Sequence, residues 1–471
     1  MTERLRWPRR IRSCLAKASD WLRFSGSRVE PPASEEKITL LVFIIIVGFS
    51  AATVYHYIMG CYLDKPWPFN SFLFLPQSRF FDFTLVVRQS ATLDPFGKDI
   101  GGFAGAPFAQ FVGYLFSVIR PASLRLPIFF GSFFIVFIWM VKHYLYRLKS
   151  KLTSYQLLAI FVIVFLTYPV LFAVDRGNFD LIVCALLLLF AFFYMRQQYK
   201  TSAVFLLLAI AIKPYAAILI MFFVFNKKYR EALLALCGAL LLSVFSLSIF
   251  KDGLFVETCK YSNALSGMGS ELSSGGHQSY TSDLFGFLTA VVRFVGDALS
   301  IDRSGTTMYL PAHPVASICY AVLAISVFLY LMIYLWKKPQ PSWKTMAVLT
   351  ILLILLPYNS GDYRLTYLFA PMLMYMAVAE RTRRDVWIVV LWGLLLVPKN
   401  YYPLHLAPTN YYSFEVHQTV GMVINPLLLI GLLICIVPDA FSLKGMACTM
   451  RFAYSRLLWG IQRISIRLLS R

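Results

Sequence analysis

Charge is scarce in this chain. Only 14% of its 471 residues are Asp, Glu, Lys or Arg, while 59% are hydrophobic and the mean hydropathy is +0.66. A water-soluble domain of this length cannot cover its surface from so small a polar stock, so that class is excluded. Acids are the scarcer sign: 23 against 44 Lys and Arg leave a formal charge of +21. Such an excess raises the question of nucleic acid in a soluble protein, but here the cations flank apolar runs, and no nucleic-acid partner is expected. Also missing are the alternating residues of a membrane barrel, metal-type spacing among the eight cysteines and a repeat relating two halves of the chain. The first apolar run begins near Ile38 and is too long for the hydrophobic region of a signal peptide, so a cleavable signal is not expected.

What remains is a series of apolar runs long enough to cross a hydrocarbon layer of ~30 Å. The expected fold is an all-α polytopic membrane protein of about ten spanning helices: 38–60, 125–145, 152–173, 178–195, 231–250, 313–336, 344–357, 363–379, 386–398 and 416–438. Residues 107–119 are read as an interfacial helix, because counting them as a crossing puts Lys142, Arg147, Lys149 and Lys151 on the outer side. Residues 201–225 have basic flanks at both ends and Lys213-Pro214 in the middle, which predicts two half-helices that enter from one face, meet at Lys213 and return. Three parts follow: a basic inner segment 1–37, a membrane domain 38–438 with outer loops 61–124, 251–312 and 399–415, and a basic amphipathic segment 439–471. Nine Lys/Arg lie in the first and six in the last, which suits anionic lipid headgroups. Cys61 and Cys259 both fall in expected outer loops, where a disulfide is one option.

Polar residues at membrane depth are costly, so their clusters carry the functional reading. In the first outer loop, Arg79-Phe80-Phe81-Asp82-Phe83-Thr84 places Asp82 against an apolar surface, with Arg79 one helical turn back. Asp82 then suits either a general base or a surface ion pair. Between two apolar spans stands Asp175-Arg176-Gly177-Asn178-Phe179-Asp180. Helix capping explains one of these polar residues but not four. Lys213-Pro214-Tyr215 places an ammonium in mid-segment, where it requires an anion or a polar cavity. Asn359-Ser360-Gly361-Asp362-Tyr363-Arg364 lies on the same outer side, so Arg176, Lys213 and Arg364 can surround a phosphate. The loop containing Gly275-Gly276-His277-Gln278-Ser279-Tyr280 suits contact with a sugar or phosphate. Tyr401, Tyr402, His405, Tyr411, Tyr412 and His417 belong either to an aromatic interface belt or to a sugar platform.

In that order these motifs resemble the GT-C class of integral-membrane glycosyltransferases, and within it glycosyltransferase family eighty-seven, which includes polyprenyl-phosphate-mannose-dependent mannosyltransferases. The resemblance spans most of residues 38–438. It rests chiefly on Asp175-Arg176-Gly177-Asn178-Phe179-Asp180 followed by Ala211-Ile212-Lys213-Pro214-Tyr215. Asp82, Asp94-Pro95-Phe96, Ala106-Pro107-Phe108, Gln278-Ser279 and Ser360-Gly361-Asp362-Tyr363-Arg364 add to it. It implies that Asp82 is the catalytic acid of the first outer loop and that Arg176, Lys213 and Arg364 hold the donor phosphate. Arg79, Asp175, Asn178, Asp180, His277, Gln278 and Asp362 then support sugar or acceptor. Arg364 stands where the family pattern leads one to expect a histidine.

The reaction so implied is an inverting transfer of a mannose-like hexose from a polyprenyl-phosphate sugar to a glycan or glycolipid. It takes place at the periplasmic or outer face of a bacterial inner membrane, with the bilayer itself as a partner. No cofactor or metal is required, and a divalent ion becomes plausible where Asp82 and Asp175 converge. The rival readings are a lipid-linked-oligosaccharide flippase, which should show repeated halves, and an O-antigen-type polymerase or ligase, which should carry an arginine-rich outer loop with a histidine.

Overall fold

A computed structural model describes residues 34–73, 76–97, 105–146, 151–274, 280–298, 314–377, 384–401, 419–449 and 451–452. Among them lie seventeen α-helices between Ser34 and Ile436, a further helical stretch at 443–449 and no strand, only an isolated antiparallel bridge between Thr281 and Gly361. The chain is an all-helical polytopic membrane protein. Its longest apolar helices, with their adjoining turns, cover Glu35–Tyr62, Ala122–Tyr146, Tyr229–Ile249 and Val315–Lys337. They contain α1 (Ser34–Tyr57), α4 (Arg125–Tyr146), α10 (Tyr229–Ile249) and α13 (Pro314–Lys337). Large apolar side chains stand exposed on each: Val47 on α1, Ile135 on α4, Leu240 and Leu241 on α10, Val322 and Ile325 on α13. An outward row of Leu, Ile and Val is what hydrocarbon tolerates and water does not.

The interior is built from shorter helices. Along α14 (Ser342–Leu355), every residue from Thr345 to Leu355 is buried. Helix α7 (Asp180–Met195) packs against α4, α8 (Tyr199–Ile212) and α15 (Phe369–Met376). Helices α14, α16 (Asp385–Leu395) and α17 (Val420–Ile436) have 14, 11 and 17 residues. At 1.5 Å per residue they fall short of ~30 Å, so these crossings depend on the turns that extend them. Among the described residues four helices, or five with the bent pair described next, are long enough to cross outright, against the ten runs expected from hydropathy.

The expected span 152–173 is two helices, α5 (Ser154–Phe165) and α6 (Tyr168–Arg176), bent by 48°. Thr153 and Gln156 form a reciprocal capping box at the start of α5. Pro169 cannot donate a backbone bond across the break. The freed Tyr168 amide is taken up by the Leu396 carbonyl at 2.8 Å, beyond the end of α16. The return at Lys213 forms as expected. Helix α8 ends at Ile212, a 3₁₀ turn runs from Pro214 to Leu219, and α9 (Ile220–Phe225) follows. The Lys228 ammonium lies 4.1 Å from the Tyr199 ring centre, so both ends of the excursion sit at the same end of the bundle.

Two helices flank this frame, α2 (Phe81–Ser90) and α3 (Pro107–Val118), with 10 and 12 residues. They are clasped by Ser90, whose hydroxyl donates to Gln110 at 2.7 Å. The segment 251–312, expected as an outer loop, is not wholly loop: it contains α11 (Gly253–Ser274) and α12 (Leu284–Ala298). The helical repeat of Leu254, Glu257 and Tyr261 turns one face of α11 toward the Phe96, Leu247 and Phe250 cluster. Cys61 and Cys259 are both free. The proposed C-terminal amphipathic helix 450–471 and the loop from Tyr402 to Gln418 lie outside the described residues, apart from Arg451 and Phe452.

Candidate active site

The turn between α6 and α7 is organised by Gly177. With φ at +63° it ends α6, donating to the Val174 carbonyl, while the Asn178 amide donates to Ala173 at 2.9 Å. A side chain at 177 would also run into Phe80 and Phe83. Glycine therefore serves both the left-handed turn and the close approach of α2. That approach is tied by the Phe80 amide, which donates 2.7 Å to the Asp175 carbonyl.

Close contact brings Asp82, in the first turn of α2, onto this turn. Asp82 is buried to 7% exposure. Arg176 donates to its Oδ1, and Asn178 Nδ2 donates to its Oδ2 at 2.7 Å. The anticipated pairing of Asp82 with Arg79 does not form. Phe80 takes a left-handed conformation (φ 56°) and the helix starts only at Phe81, so Arg79 is not one helical turn behind Asp82. Arg79 lies instead 3.6 Å from Asp175 and is 60% exposed. Arg176, read from sequence as a phosphate ligand, is thus engaged by the carboxylate of α2.

Asp180 is the second centre, two residues along the chain and fully buried. Its amide donates 2.9 Å to Asn178 Oδ1. Its Oδ1 accepts from the phenols of both Tyr215 and Tyr367, which are 3.1 Å apart. Its Oδ2 takes no hydrogen bond among the described residues and faces the Lys213 ammonium at 3.4 Å. Arg364 stacks on Tyr215, its guanidinium carbon 4.0 Å from the ring centre. The buried Nε and Nη1 of Arg364 have no hydrogen-bond partner among the described residues. Tyr363 is a common neighbour, within electrostatic reach of Asp82, Arg176, Asp180 and Arg364.

Asp362 belongs to a different set of contacts. It accepts from Ser282 at 2.5 Å, Tyr168 at 3.1 Å and Asn425 at 3.2 Å. It thereby joins the segment before α12 to α6 and α17, and burial raises its pKa while Ser282 opposes that. Neighbouring Asp283 accepts from the amides of Gly286 and Ser360 at 2.6 and 2.9 Å. Burial pushes its pKa up to about 7. His277 and Gln278 lie outside the described residues.

Asp82 and Asp175 are turned to Arg176 and Arg79, respectively. Another carboxylate group, Asp94, Asp252 and Glu257, has ligand atoms within 4.8 Å of one another. The Lys260 ammonium bonds all three, so an internal cation already gathers them.

Tyr215 and Tyr367 join the site although the sequence motifs do not single them out. Tyr215 follows the Lys213-Pro214 break directly, which was a usable signal. Tyr367 carries a weaker one: it is three residues after Arg364 in the 3₁₀ turn Asp362–Leu368, where i and i+3 eclipse.

A polytopic helical protein with a carboxylate and a set of cations gathered at one end of its bundle has the makings of a membrane enzyme. Residues 103–357, more than half of the chain, match glycosyltransferase family 87, and the chain belongs to that family. A comparison with curated proteins finds no match. The protein is a glycosyltransferase whose family match includes Asp175 through Lys213 and stops short of both Asp82 and Arg364.

Proposed function

We propose that the protein transfers a mannose-like hexose from a polyprenyl-phosphate donor to a glycan or glycolipid acceptor, at the periplasmic or outer face of a bacterial inner membrane. One observation supports this most: Asp82, outside the family match, is held by Arg176 and Asn178, inside it. In the same turn, Asp180 anchors Lys213 and the ring that supports Arg364. An anionic group and a cationic group therefore stand on either side of Asn178.

Asp82 accepts the proton of the acceptor hydroxyl as its oxygen attacks the anomeric carbon. The bond from that carbon to the phosphate oxygen breaks, the electron pair leaves with polyprenyl phosphate, and the configuration inverts. Negative charge grows on the departing phosphate, where Lys213 and the open N–H groups of Arg364 stabilise it. Arg176 holds Asp82 in place, and the scheme needs no metal or cofactor.

Transfer of radiolabelled hexose from synthetic polyprenyl-phosphate donors to membrane acceptors tests the reading, with Asp82→Asn at matched expression. The variant should lose activity by a factor of roughly 100 or more while still binding farnesyl phosphate. An unaffected variant removes Asp82 as base. Absence of transfer with every donor tried rejects the polyprenyl-phosphate donor in favour of a glycosyltransferase that uses another lipid-linked sugar.

A further inference from the structure

Arg364 is held by its face, which lies over the Tyr215 ring. A guanidinium presents five N–H donors in one plane, and the partner that ordinarily claims them is a carboxylate. Such a carboxylate is near. Asp180 has an oxygen without a hydrogen bond among the described residues, and its charge acts on Arg364. Among the described residues Arg364 nevertheless forms no ion pair with it, and its Nε and Nη1 have no hydrogen-bond partner. The group between them is Tyr215, which uses its O–H on Asp180 Oδ1 and its ring face under Arg364.

The backbone explains how one residue performs both tasks. Lys213 is extended (φ −138°, ψ 98°), and the 3₁₀ turn starting at Pro214 puts Tyr215 beside Asp180, where Tyr367 braces its hydroxyl from the other side at 3.1 Å. The proline removes the N–H that would continue α8, so the chain leaves the helix where the tyrosine is needed. Stacking fixes the plane of the guanidinium and leaves Nε and Nη1 without a hydrogen-bond partner among the described residues.

We infer that Tyr215 is a positioning residue, a spacer that keeps Arg364 off the Asp180 carboxylate so that its N–H fork stays open to the phosphate of the lipid-linked donor. This rests on the phosphate role assigned to Arg364 above. Without the ring, the guanidinium pivots onto Asp180 and closes an internal ion pair, and the site loses its bidentate anion donor while keeping every charge.

The test measures binding of farnesyl phosphate to the full-length protein in nanodiscs, together with KM and kcat for transfer. Tyr215→Leu should weaken binding roughly tenfold or more, the size of a lost charge-assisted contact, and raise KM more than it lowers kcat. Tyr215→Phe keeps the ring and should weaken binding far less than Leu does. Adding Asp180→Asn to Tyr215→Leu removes the competing carboxylate and should restore much of the binding, which a merely structural role for Tyr215 does not predict. If Tyr215→Leu fails to assemble, Tyr215→Met, flexible and without an aromatic face, takes its place in both arms.

Equal losses for Phe and Leu, or no rescue by Asp180→Asn, overturn the spacer. Arg364→Ala separates the levels. If it weakens farnesyl phosphate binding while Tyr215→Leu binds like wild type, the spacer alone fails. If Arg364→Ala binds normally, the phosphate role of Arg364 fails and the spacer with it.

Discussion

Asn178 holds Asp82 with one end of its side-chain amide and Asp180 with the other. Its Nδ2 donates 2.7 Å to the Asp82 carboxylate, and its Oδ1 accepts from the Asp180 backbone amide at 2.9 Å. A single planar group thus sets the spacing between the proposed base and the carboxylate that organises Lys213, Tyr215 and Tyr367. Asparagine has a donor and an acceptor on separate atoms for this, whereas aspartate lacks the donor, alanine lacks both, and the single short hydroxyl of serine does not span the two partners.

Asn178→Ala should therefore lose on two counts. The lost bond to the Asp180 amide costs about 1 kcal/mol of stability, and the loosened Asp82 should lower kcat by roughly 10-fold or more without a matching rise in KM. Asn178→Ser restores an oxygen for the Asp180 amide but cannot donate to Asp82 at the same reach. It should recover the thermal midpoint and not the turnover, and parallel recovery of both would refute the two-ended role.

Gly177→Ala tests the approach of α2. A left-handed conformation costs a non-glycine residue roughly 1–2 kcal/mol, and the new methyl also meets Phe80 and Phe83. Both the melting temperature in detergent and hexose transfer should fall, because Asp82 sits on the helix that is pushed away. A variant with normal activity would mean that α2 can move without disturbing Asp82.

Asp283 gives the stability a pH dependence. Its carboxyl, ordinarily titrating at 3.8, is pushed up to about 7 by burial, so the folded protein keeps a proton that the unfolded chain has released. Protonation then favours the fold: the contribution is complete below about 4, is lost as pH rises toward 7, and stays level above. Melting curves between pH 4.5 and 8 should show midpoints falling with pH. Asp283→Asn should flatten that slope, although it is less stable throughout because one of the amides of Gly286 and Ser360 loses its acceptor.

Lys37 and Asp385 form a buried pair at 2.6 Å where α1 and α16 begin. Leaving one charge alone there costs about 3–5 kcal/mol, whereas replacing both by apolar side chains costs far less. Asp385→Asn should lower the melting temperature sharply while the molecules that remain folded keep their kcat. Lys37→Met with Asp385→Leu should recover most of the stability. Failure of the double variant to do better than the single one would show that the pair is needed as a pair.

Several features were legible because their causes are local. Hydropathy alone makes the chain an all-helical membrane protein, since lipid demands that each segment satisfy its own backbone. Pro214 breaks the segment at Lys213 and Gly177 ends α6 wherever they are folded, because ring geometry and the lack of a side chain act within a turn. Helix α11 falls in a stretch whose serines and glycines suggest a loop, although Leu254, Glu257 and Tyr261 carry its helical period.

Partner choice was decided only by the tertiary structure. Arg79 looked like the partner of Asp82 on spacing, but the left-handed Phe80 takes Arg79 off the helix, and Arg176, 94 positions away, takes the carboxylate instead. Tyr367 reaches Asp180 across 187 positions, and Asp362 ties together segments from α6 to α17. Residue type and hydropathy determine which groups a membrane segment must hide. Which of them meet depends on how the helices pack, because no local rule links a hydrogen-bond donor to an acceptor on another helix.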